Sequence, residues 1–338
     1  MAKMKAAQIS RPGADFEIVE REIPQPGPGE VRIKVHACGV CHSDAIVKEM
    51  GAWPGLTYPR VPGHEVAGAI DETGAGVTAW KKGQRVGVGW HGGQDGTCLP
   101  CRRGDFANCA HLKITGISYD GGYADYMLAP VEALAAMPES LDAAEAAPLL
   151  CAGVTTFNSL RHSGAMPADL VAIQGIGGLG HLGVQFGQKF GYKVAAVGRG
   201  PENAALAKKL GASVYIDSGA TNAAAELQKL GGARVILATA PSSKSMSSLI
   251  DGLGMNGRMM VVGATLDPIE VTPVQLIFGM KSLQGWASGI PTDSEDTLRF
   301  AELTGVRPMI EKYPLAKVNE AYARMMSGKA EFRVVLTM

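Results

Sequence analysis

Residues 170–190 join an apolar run, a glycine-rich turn and the start of a helix-like stretch. The run Leu170 to Gln174 is typical of a buried strand. The turn places Gly175, Gly177 and Gly180 in a Gly-x-Gly-x-x-Gly pattern. In that pattern the first glycine allows a tight turn, the second lets a pyrophosphate approach the backbone, and the third lets helix and strand pack closely. Because the chain has 44 glycines, the pattern alone fits an ordinary turn equally well, and the surrounding sequence has to decide.

Apolar runs and helix-like segments alternate from about residue 151 to residue 286. The expected strands are Leu170 to Gln174, Val194 to Val197, Val214 to Ile216, Val235 to Ala238 and Met259 to Val262. Helix-like stretches lie between them, including Leu182 to Phe190 and Glu202 to Leu210. This alternation predicts βαβ units in a doubly wound parallel sheet. The glycine turn follows the first of these strands, which is where such a sheet binds a dinucleotide, so the context favours a dinucleotide-binding domain.

The remainder of the chain has a different rhythm. Before about residue 150 there are short β-type runs broken by glycine and proline, such as Val31 to Ala37 and Arg85 to Val88, and no long amphipathic helix is expected before Ala143. The tail after Trp286 contains the helix-like stretches Ser294 to Thr304 and Val318 to Met326 and a last strand, Phe332 to Thr337. The predicted fold class is α/β, but the pattern leaves open whether the tail extends the parallel sheet or returns to the mostly β part.

Composition excludes several classes of function. Lys and Arg total 32, as do Asp and Glu, so charge does not favour nucleic acid or an acidic membrane surface. No run approaches the roughly 18 apolar residues of a transmembrane helix, and Met1 to Lys5 lacks the apolar core of a signal peptide. A cytoplasmic protein is therefore expected. In a reducing compartment, clustered cysteines indicate metal binding or catalysis rather than disulfides.

Cys41, His64 and Cys151 are candidate ligands of one metal ion. Two thiolates and one imidazole suit a catalytic zinc, which keeps its fourth position for water or substrate. These residues lie far apart in the sequence, so no local spacing proves the site. Cys151 alone also fits a core thiol, and His64 alone fits a hydrogen-bonded loop histidine. Cys38 is interpreted as a small buried hydrophobic residue.

Three stretches in this order resemble the zinc-dependent medium-chain alcohol dehydrogenases. They are Gly39-Val40-Cys41-His42-Ser43-Asp44, Pro62-Gly63-His64-Glu65-Val66-Ala67-Gly68 and the glycine turn. The resemblance covers nearly the whole chain. It implies a GroES-like, mostly β catalytic domain of residues 1–150 and 287–338, interrupted by a Rossmann domain of residues 151–286. On this reading the tail returns to the catalytic domain.

The resemblance also implies roles around a catalytic zinc. Cys41, His64 and Cys151 match the family's zinc ligands. Glu65 matches a carboxylate close behind the metal, and Asp44 matches a partner of the kind that orients a ligand histidine. Bound zinc acts on the alcohol oxygen as a Lewis acid, and the hydride passes to a nicotinamide cofactor.

Ser43 matches the family hydroxyl that takes the proton of the alcohol. A hydroxyl at this place could instead cap the helix after Cys41. In many relatives the proton relay ends at a histidine, but here the corresponding place is Ile46, which cannot carry a proton. His42 is left to serve either in the relay or on the pyrophosphate.

A second cysteine cluster resembles the structural zinc loop of the same family. Cys98, Cys101 and Cys109 fit three of its four ligand places, and Asp95 occupies the first place instead of cysteine. A carboxylate oxygen binds zinc at a distance similar to that of a nitrogen ligand, so a Cys3Asp site is expected. The alternative is an empty or weakly metallated loop.

Cofactor contacts are implied on both sides of the glycine turn. The expected residues are His42, Thr155, Gly175, Gly177, Gly178, Leu179, Gly180, Gly198, Arg199, Val262 and Arg333. Arg333 is expected near the pyrophosphate, with a solvated surface charge as the alternative. The second strand, Lys193 to Val197, is followed by Gly198-Arg199 and lacks the acidic residue that binds the ribose 2′-hydroxyl of NAD. Because Arg199 suits a 2′-phosphate unless it is simply solvated, NADP is expected rather than NAD.

Trp53 and Trp90 fall close to the metal-bearing stretches. They are expected to narrow a substrate pocket toward primary alcohols, short-chain or aromatic, and the matching aldehydes, although core packing explains Trp53 equally well. The expected activity is NAD(P)-dependent, reversible oxidation of such alcohols. The alternatives are a polyol or sugar dehydrogenase, a quinone or enoyl reductase without catalytic zinc, and a non-catalytic NADP-binding protein on the same fold. Family resemblance implies a homotetramer.

Overall fold

The computed structural model describes residues 2–338. These residues divide into two compact units, one formed by the chain up to Val154 together with Gly289–Met338, and the other by Thr155–Ser288. Among the described residues, no helix combines the length and the apolar character needed to cross a membrane.

The first unit begins as a mostly β structure with short helical turns. Its strands before residue 150 are β1 (Lys3–Gln8), β2 (Glu17–Glu22), β3 (Glu30–Val40), β4 (Val66–Thr73), β5 (Arg85–Val88), β6 (Tyr126–Pro130) and β7 (Leu134–Ala136). Its helical elements are α1 (Leu99–Arg102) and α2 (Ala143–Pro148), 3₁₀ turns at His42–Asp44, Phe106–Asn108 and Val131–Ala133, and π-helices at Ile46–Met50 and Leu149–Gly153. β3 pairs with β4 and with β6, and β5 joins β4 to β7. The expectation of a mostly β part is confirmed.

The second unit contains a six-stranded parallel sheet. Its strands are β8 (Leu170–Gln174), β9 (Lys193–Gly198), β10 (Val214–Asp217), β11 (Ala233–Ala238), β12 (Leu253–Val261) and β13 (Ser282–Gly285), in the order β10-β9-β8-β11-β12-β13. The helices from Val154 onward are α3 (Val154–Arg161), α4 (Gly180–Lys189), α5 (Asn203–Lys209), α6 (Ala223–Lys229), α7 (Ser243–Leu249) and α8 (Pro273–Ile277), with a 3₁₀ turn at Ile250–Gly252. β8 is buried along its whole length, as a strand in the middle of a parallel sheet should be. The predicted doubly wound sheet is confirmed, although β12 begins at Leu253 rather than Met259 and β13 was not expected.

The tail belongs to the first unit. Its elements are α9 (Pro291–Thr304), β14 (Ile310–Pro314), a 3₁₀ turn at Leu315–Lys317, α10 (Val318–Met326) and β15 (Arg333–Thr337). β15 runs parallel to β14 and antiparallel to β3, with Val334 opposite Val40. This register brings the start of β15 beside the end of β3, directly before Cys41.

The division between the units differs by a few residues from the predicted one. Cys151 to Val154 were expected in the second domain, but they lie in the first unit. The π-helix Leu149–Gly153 joins α2 to α3 without a break on either side, so no loop in the sequence marks the boundary. At the other end, the second unit runs to Ser288 rather than Trp286.

Candidate active site and metal centres

The candidate catalytic metal centre lies where β3 ends and β4 begins. Cys38 of β3 is paired with Val66 of β4, so Cys41, just after β3, lies near the segment that precedes β4 and carries His64 and Glu65. Cys151 reaches the same place from the π-helix Leu149–Gly153. Ligand atoms of Cys41, His64, Glu65 and Cys151 all lie within 4.8 Å of one another. All four residues belong to the first unit.

Asp44 holds this arrangement together. Its Oδ1 lies 3.2 Å from Nδ1 of His64. Its Oδ2 accepts a hydrogen bond from the backbone N–H of Cys41 at 2.9 Å and another from the hydroxyl of Tyr123 at 2.7 Å. The same bond to Cys41 closes the first turn of the 3₁₀ helix, so the cap that the sequence could assign to Ser43 is made by Asp44. Tyr123 was not found from the sequence, because no motif marks it.

The donor set fits a zinc ion. With Nδ1 of His64 turned to Asp44, its Nε2 is buried and has no hydrogen-bond partner among the described residues. The Sγ atoms of Cys41 and Cys151 are 3.9 Å apart. A buried imidazole nitrogen without a partner normally costs free energy, and one imidazole with two thiols is the donor chemistry of catalytic zinc sites. Cys41, His64 and Cys151 are therefore the residues that would hold the ion.

The side chains of the candidate metal centre shift one another's pKa values. The hydrogen bond shared with Cys151 lowers the pKa of Cys41 well below that of an ordinary thiol. The same bond raises the pKa of Cys151. Burial is the largest single influence on His64 and would lower its pKa, but the charges and hydrogen bonds of Asp44 and Cys41 together raise the pKa well above the usual value.

Glu65 lies behind the ligands as a buried carboxylate. Burial raises its pKa to about 8, against the opposing charge of Arg333. Oε1 of Glu65 forms an ion pair with Nη2 of Arg333, and Oε2 has no hydrogen-bond partner among residues 2–338. Gly39 leaves the space for this carboxylate, since a Cβ there would lie 1.8 Å from Oε2.

Arg333 is buried beside the candidate metal centre. The alternative of a solvated surface charge is wrong, because Arg333 is 4% exposed and its guanidinium is bonded to Glu65. The pairing of Val334 with Val40 explains this position, because it carries Arg333 to the end of β3. Burial alone would lower the pKa of Arg333, but the adjacent Glu65 charge raises it.

Two tryptophans border the metal centre. The indole of Trp90 meets the His64 ring edge to face, with centroids 5.0 Å apart and planes at 87°. Trp53 meets Trp90 in the same way, at 6.2 Å and 88°. Trp53 is 38% exposed, so the core-packing alternative does not describe it. The wall beside the imidazole is therefore aromatic and partly open.

The proposed proton path has only its first members in place. Ser43 and His42 both lie in the 3₁₀ turn after Cys41, with Ser43 half-buried and His42 exposed. Ile46 begins the following π-helix. Among residues 2–338, no side-chain contact assigns a role to Ser43 or to His42.

The second cysteine cluster also comes together. Ligand atoms of Asp95, Cys98, Cys101 and Cys109 lie within 4.8 Å of one another. The Sγ atoms of Cys98 and Cys109 are 3.8 Å apart and accept backbone N–H groups of the same loop. Such a set of three thiols and a carboxylate fits a closed zinc site.

Asp95 is fixed by its own loop. Its Oδ1 accepts the backbone N–H groups of Thr97 at 2.8 Å and Cys98 at 3.0 Å, and its Oδ2 faces Nδ1 of His111. The Cys98 N–H and then His111 lower the pKa of Asp95, so its carboxylate is ionised. His91, the other histidine close to this cluster in the sequence, has its Nε2 3.4 Å from the carbonyl oxygen of Phe106. Of these two histidines, His111 alone is in contact with a member of the cluster.

The glycine turn of the second unit connects β8 to α4. Gly175 has φ +89°, and a Cβ on Gly180 would lie 1.8 Å from the carbonyl oxygen of Gly175, so the fold itself requires both glycines. A Cβ on Gly177 would meet no protein atom within 4 Å. Packing therefore does not explain Gly177, whereas the close approach of a phosphate does. Leu179, the N-cap residue of α4, makes no side-chain capping hydrogen bond, and the positive end of the α4 dipole lies at this turn, where it favours an anion.

The other expected cofactor residues lie in the second unit, except for His42 and Arg333. Thr155 is buried in the first turn of α3, and Val262 directly follows β12. Gly178 and Leu179 complete the turn before α4. Gly198 ends β9, and Arg199 follows it with an exposed side chain.

The chain is similar to known proteins along almost its whole length. Residues 27–139 match the alcohol dehydrogenase GroES-like domain, and residues 178–303 match the zinc-binding dehydrogenase family. Alcohol dehydrogenase patD of Penicillium expansum is 46% identical over 334 residues, which cover 99% of this chain and 97% of that protein. An alcohol dehydrogenase of Geobacillus stearothermophilus is 37% identical over 337 residues, 99% of each. A solved cinnamyl alcohol dehydrogenase of Sorghum bicolor aligns with a TM-score of 0.89 and 31% identity, over 99% of this chain and 98% of that chain.

Proposed function

The chain belongs to the zinc-dependent medium-chain alcohol dehydrogenases, and from this premise we propose that it reversibly oxidises primary alcohols, short-chain or aromatic, to aldehydes, with hydride transfer to NADP. The observation that carries the proposal is the buried, unpartnered Nε2 of His64 beside the thiols of Cys41 and Cys151. That donor set suits a zinc that keeps one position for an oxygen ligand.

The residues around the candidate metal centre have separate roles in the proposed reaction. When bound, zinc supplies Lewis-acid polarisation of the alcohol oxygen. Asp44 keeps Nδ1 of His64 occupied, so that Nε2 is the nitrogen that would hold the metal. Ser43 receives the proton of the alcohol, and the neighbouring exposed His42 passes it to solvent. Glu65 lies behind the ligands, where its carboxyl group is held by Arg333.

The aromatic border supports the substrate class. Trp53 and Trp90 give the site flat apolar walls, which suit an alkyl chain or an aromatic ring better than a polyol with many hydroxyls to satisfy. The similarity to the cinnamyl alcohol dehydrogenase of Sorghum bicolor points in the same direction.

The loop after β9 supports the choice of NADP. Gly198 supplies no carboxylate for a ribose 2′-hydroxyl, and the Arg199 side chain has no hydrogen bond or ion pair within residues 2–338. A free guanidinium beside the ribose site is suited to a 2′-phosphate.

We also propose a cytoplasmic homotetramer. The cysteines of the described chain are all free thiols, as a reducing compartment requires. The second unit exposes large apolar side chains between residues 255 and 280, among them Met255 at 70%, Ile277 at 68% and Phe278 at 73%. The backbone N–H of Asn256 donates to the carbonyl of Gly279 at 2.6 Å, so these side chains share one region. An apolar patch of this kind suits burial against a second copy.

One experiment tests the activity. The purified protein is assayed on a panel of primary alcohols, polyols and aldehydes with NAD and with NADP, and zinc is measured on the same sample. We expect the highest kcat/KM with a primary alcohol and NADP, and loss of activity after chelation of zinc.

Each alternative has its own outcome. Activity that survives complete removal of zinc would point to a zinc-independent reductase. Higher kcat/KM on a polyol would favour a polyol or sugar dehydrogenase, and cofactor binding without alcohol-dependent NADPH formation would favour a non-catalytic protein. Equal efficiency with both cofactors, unchanged in Arg199→Ala, would refute the NADP preference.

A further inference from the structure

The loop that follows β9 is tied to the neighbouring strand β10. β10 is the edge strand of the sheet, and its Asp217 lies opposite Gly198 in the parallel ladder. The hydroxyl of Tyr215, two residues earlier on β10, donates to the carbonyl of Gly200 at 2.6 Å. Oδ1 of Asp217 accepts the N–H of Gly200 at 2.9 Å. Gly200 is therefore held through both its carbonyl and its amide.

The other end of the loop is held as well. The carbonyl of Gly198 accepts the backbone N–H of Ser218 at 2.8 Å and the Ser218 hydroxyl at 2.9 Å. Arg199 is the residue between the two anchored glycines, and Asn203 donates to its carbonyl at 2.8 Å. The backbone of Arg199 is thus fixed on both sides, while its side chain is exposed.

Tyr215 also fills the space beside Gly198. A Cβ built on Gly198 would lie 2.9 Å from Oη, 3.1 Å from Cε2 and 3.4 Å from Cζ of Tyr215. The ring could move away only by breaking its hydrogen bond to Gly200. The position where an NAD-binding member of a Rossmann fold carries its acidic side chain is therefore closed by a tyrosine from the next strand.

We propose that Tyr215 is a specificity-determining, positioning residue for the cofactor: its ring excludes a side chain at position 198, and its hydroxyl anchors the loop that presents Arg199 to a 2′-phosphate. This inference rests on the NADP preference proposed above. It adds that the preference depends on a residue of β10, which need not touch the cofactor.

The anchoring role is tested by the binding of two nucleotides that differ only in the 2′-phosphate. Calorimetry measures the affinity of the zinc-loaded protein for adenosine 2′,5′-bisphosphate and for adenosine 5′-monophosphate. We expect Tyr215→Phe, which keeps the ring and removes the hydroxyl, to weaken the bisphosphate about two- to tenfold, as the loss of one hydrogen bond does. The monophosphate should change by less than about twofold.

Tyr192→Phe is the matched control. It removes a hydroxyl that donates to a different backbone carbonyl of the same unit, that of Ala165 at 3.5 Å, and it should leave both affinities unchanged. If Tyr215→Phe weakens both nucleotides equally, or neither, the hydroxyl does not position Arg199 and the proposal is wrong.

The steric role is tested at position 198. Gly198→Asp alone should not raise the affinity for adenosine 5′-monophosphate and should lower Tm, because the new side chain meets Tyr215. Gly198→Asp combined with Tyr215→Ala should raise that affinity about tenfold or more, as a hydrogen bond to a charged group does. An equal gain in affinity for adenosine 5′-monophosphate in the single and the double variant would contradict the claim that Tyr215 excludes a side chain at position 198.

These outcomes are separable from the cofactor preference itself. If the wild-type protein binds both nucleotides equally, the NADP preference fails. The Tm values of Gly198→Ala in the wild-type and Tyr215→Ala backgrounds still report whether Tyr215 closes position 198: a loss of Tm confined to the wild-type background supports that contact, and equal losses contradict it.

Discussion

Oδ1 of Asp44 lies 3.2 Å from Nδ1 of His64, and both side chains are 2% exposed. The same carboxylate accepts the backbone N–H of Cys41 and the hydroxyl of Tyr123 through its other oxygen. The Asp44 carboxylate therefore orients two candidate metal ligands: His64 through its imidazole and Cys41 through its backbone N–H. Partners of this kind fix the tautomer of a ligand histidine and increase its basicity. The metal affinity of the centre should therefore be sensitive to substitution of Asp44.

Asp44→Asn should weaken zinc binding at the catalytic centre about 10- to 100-fold. The amide is nearly the same size as the carboxylate, so packing is retained, but the negative charge that supports the imidazole is lost. Competition with a chelator of known affinity, followed by zinc analysis, measures the change. Unaltered zinc retention would show that Asp44 serves the fold alone.

Tyr123→Phe is the matched, milder change. It removes a hydrogen bond to the other oxygen of Asp44 and leaves the contact with His64 in place. We expect a reduction in zinc affinity below about tenfold, since a single hydrogen bond is involved. A larger loss of zinc affinity than in Asp44→Asn would contradict the main role assigned to the Asp44 carboxylate.

Gly39→Ala should destabilise the first unit by about 1–3 kcal/mol. The added Cβ would lie 1.8 Å from Oε2 and 2.8 Å from Cδ of Glu65. Glu65 cannot move away freely, because its other oxygen is bound to Arg333. Overpacking of this kind in a rigid interior costs about 1–3 kcal/mol and sometimes more. Chemical denaturation monitored by circular dichroism measures the loss.

Gly285→Ala is the control for that change. Gly285 is also a strand residue, in β13, but a Cβ there would meet no atom within 4 Å. Its expected effect is below about 1 kcal/mol. Equal losses in the two variants would mean that the Glu65 contact is not the cause.

The sequence was most informative where chemistry or local geometry is concentrated in a short motif. The glycine turn could be predicted because strand, turn and helix are consecutive in the chain, and Cys41, His64 and Cys151 because few residue types bind zinc. The partner of Arg333 could not be predicted, since it depends on the register of β15 against β3 and joins residues 268 positions apart. Tyr123 was missed because no motif marks it and its partner Asp44 lies 79 positions away in the chain. β13 has only four residues and none is fully buried, so its sequence carries no strand periodicity.

Asp95→Ala should remove one zinc per chain and leave the catalytic zinc in place. Three thiols remain, but the carboxylate that serves as the fourth ligand is lost. The hydrogen bonds that it accepts from the backbone N–H groups of Thr97 and Cys98 are lost with it. Zinc analysis of the purified variant should give about half the wild-type content. A wild-type content of one zinc per chain, with unchanged stability in Asp95→Ala, would contradict a second zinc site.

His111→Ala separates the ligand from its neighbour. His111 touches Asp95 through Nδ1, and its side chain is 76% exposed. If Asp95 is the fourth ligand, the variant should retain both zinc ions after dialysis against plain buffer. Loss of one zinc in His111→Ala but not in Asp95→Ala would assign the fourth place to the histidine.

The ion pair between Glu311 of β14 and Arg324 of α10 should make stability depend on pH. Two hydrogen bonds of 2.8 Å join the side chains, and they lower the pKa of Glu311 from 4.5 to about 2. Because the pKa is lower in the folded state, the pair stabilises the protein fully above the unfolded pKa of 4.5, and that contribution is lost as the pH falls toward about 2. The side chains are 24% and 36% exposed, so solvent screening reduces the effect to about 1 kcal/mol.

Glu311→Gln should therefore lower the free energy of unfolding by about 1 kcal/mol at pH 7 and by progressively less below pH 4.5. Urea denaturation of wild type and variant at several pH values measures the difference. Glu320→Gln removes a more exposed pair, with Lys317 at 3.2 Å and side chains 62% and 55% exposed, and should change stability by less than about 0.5 kcal/mol at pH 7. A Glu311→Gln difference that stays constant down to pH 3 would place its origin in packing, because only a charge interaction disappears as the carboxylate is protonated.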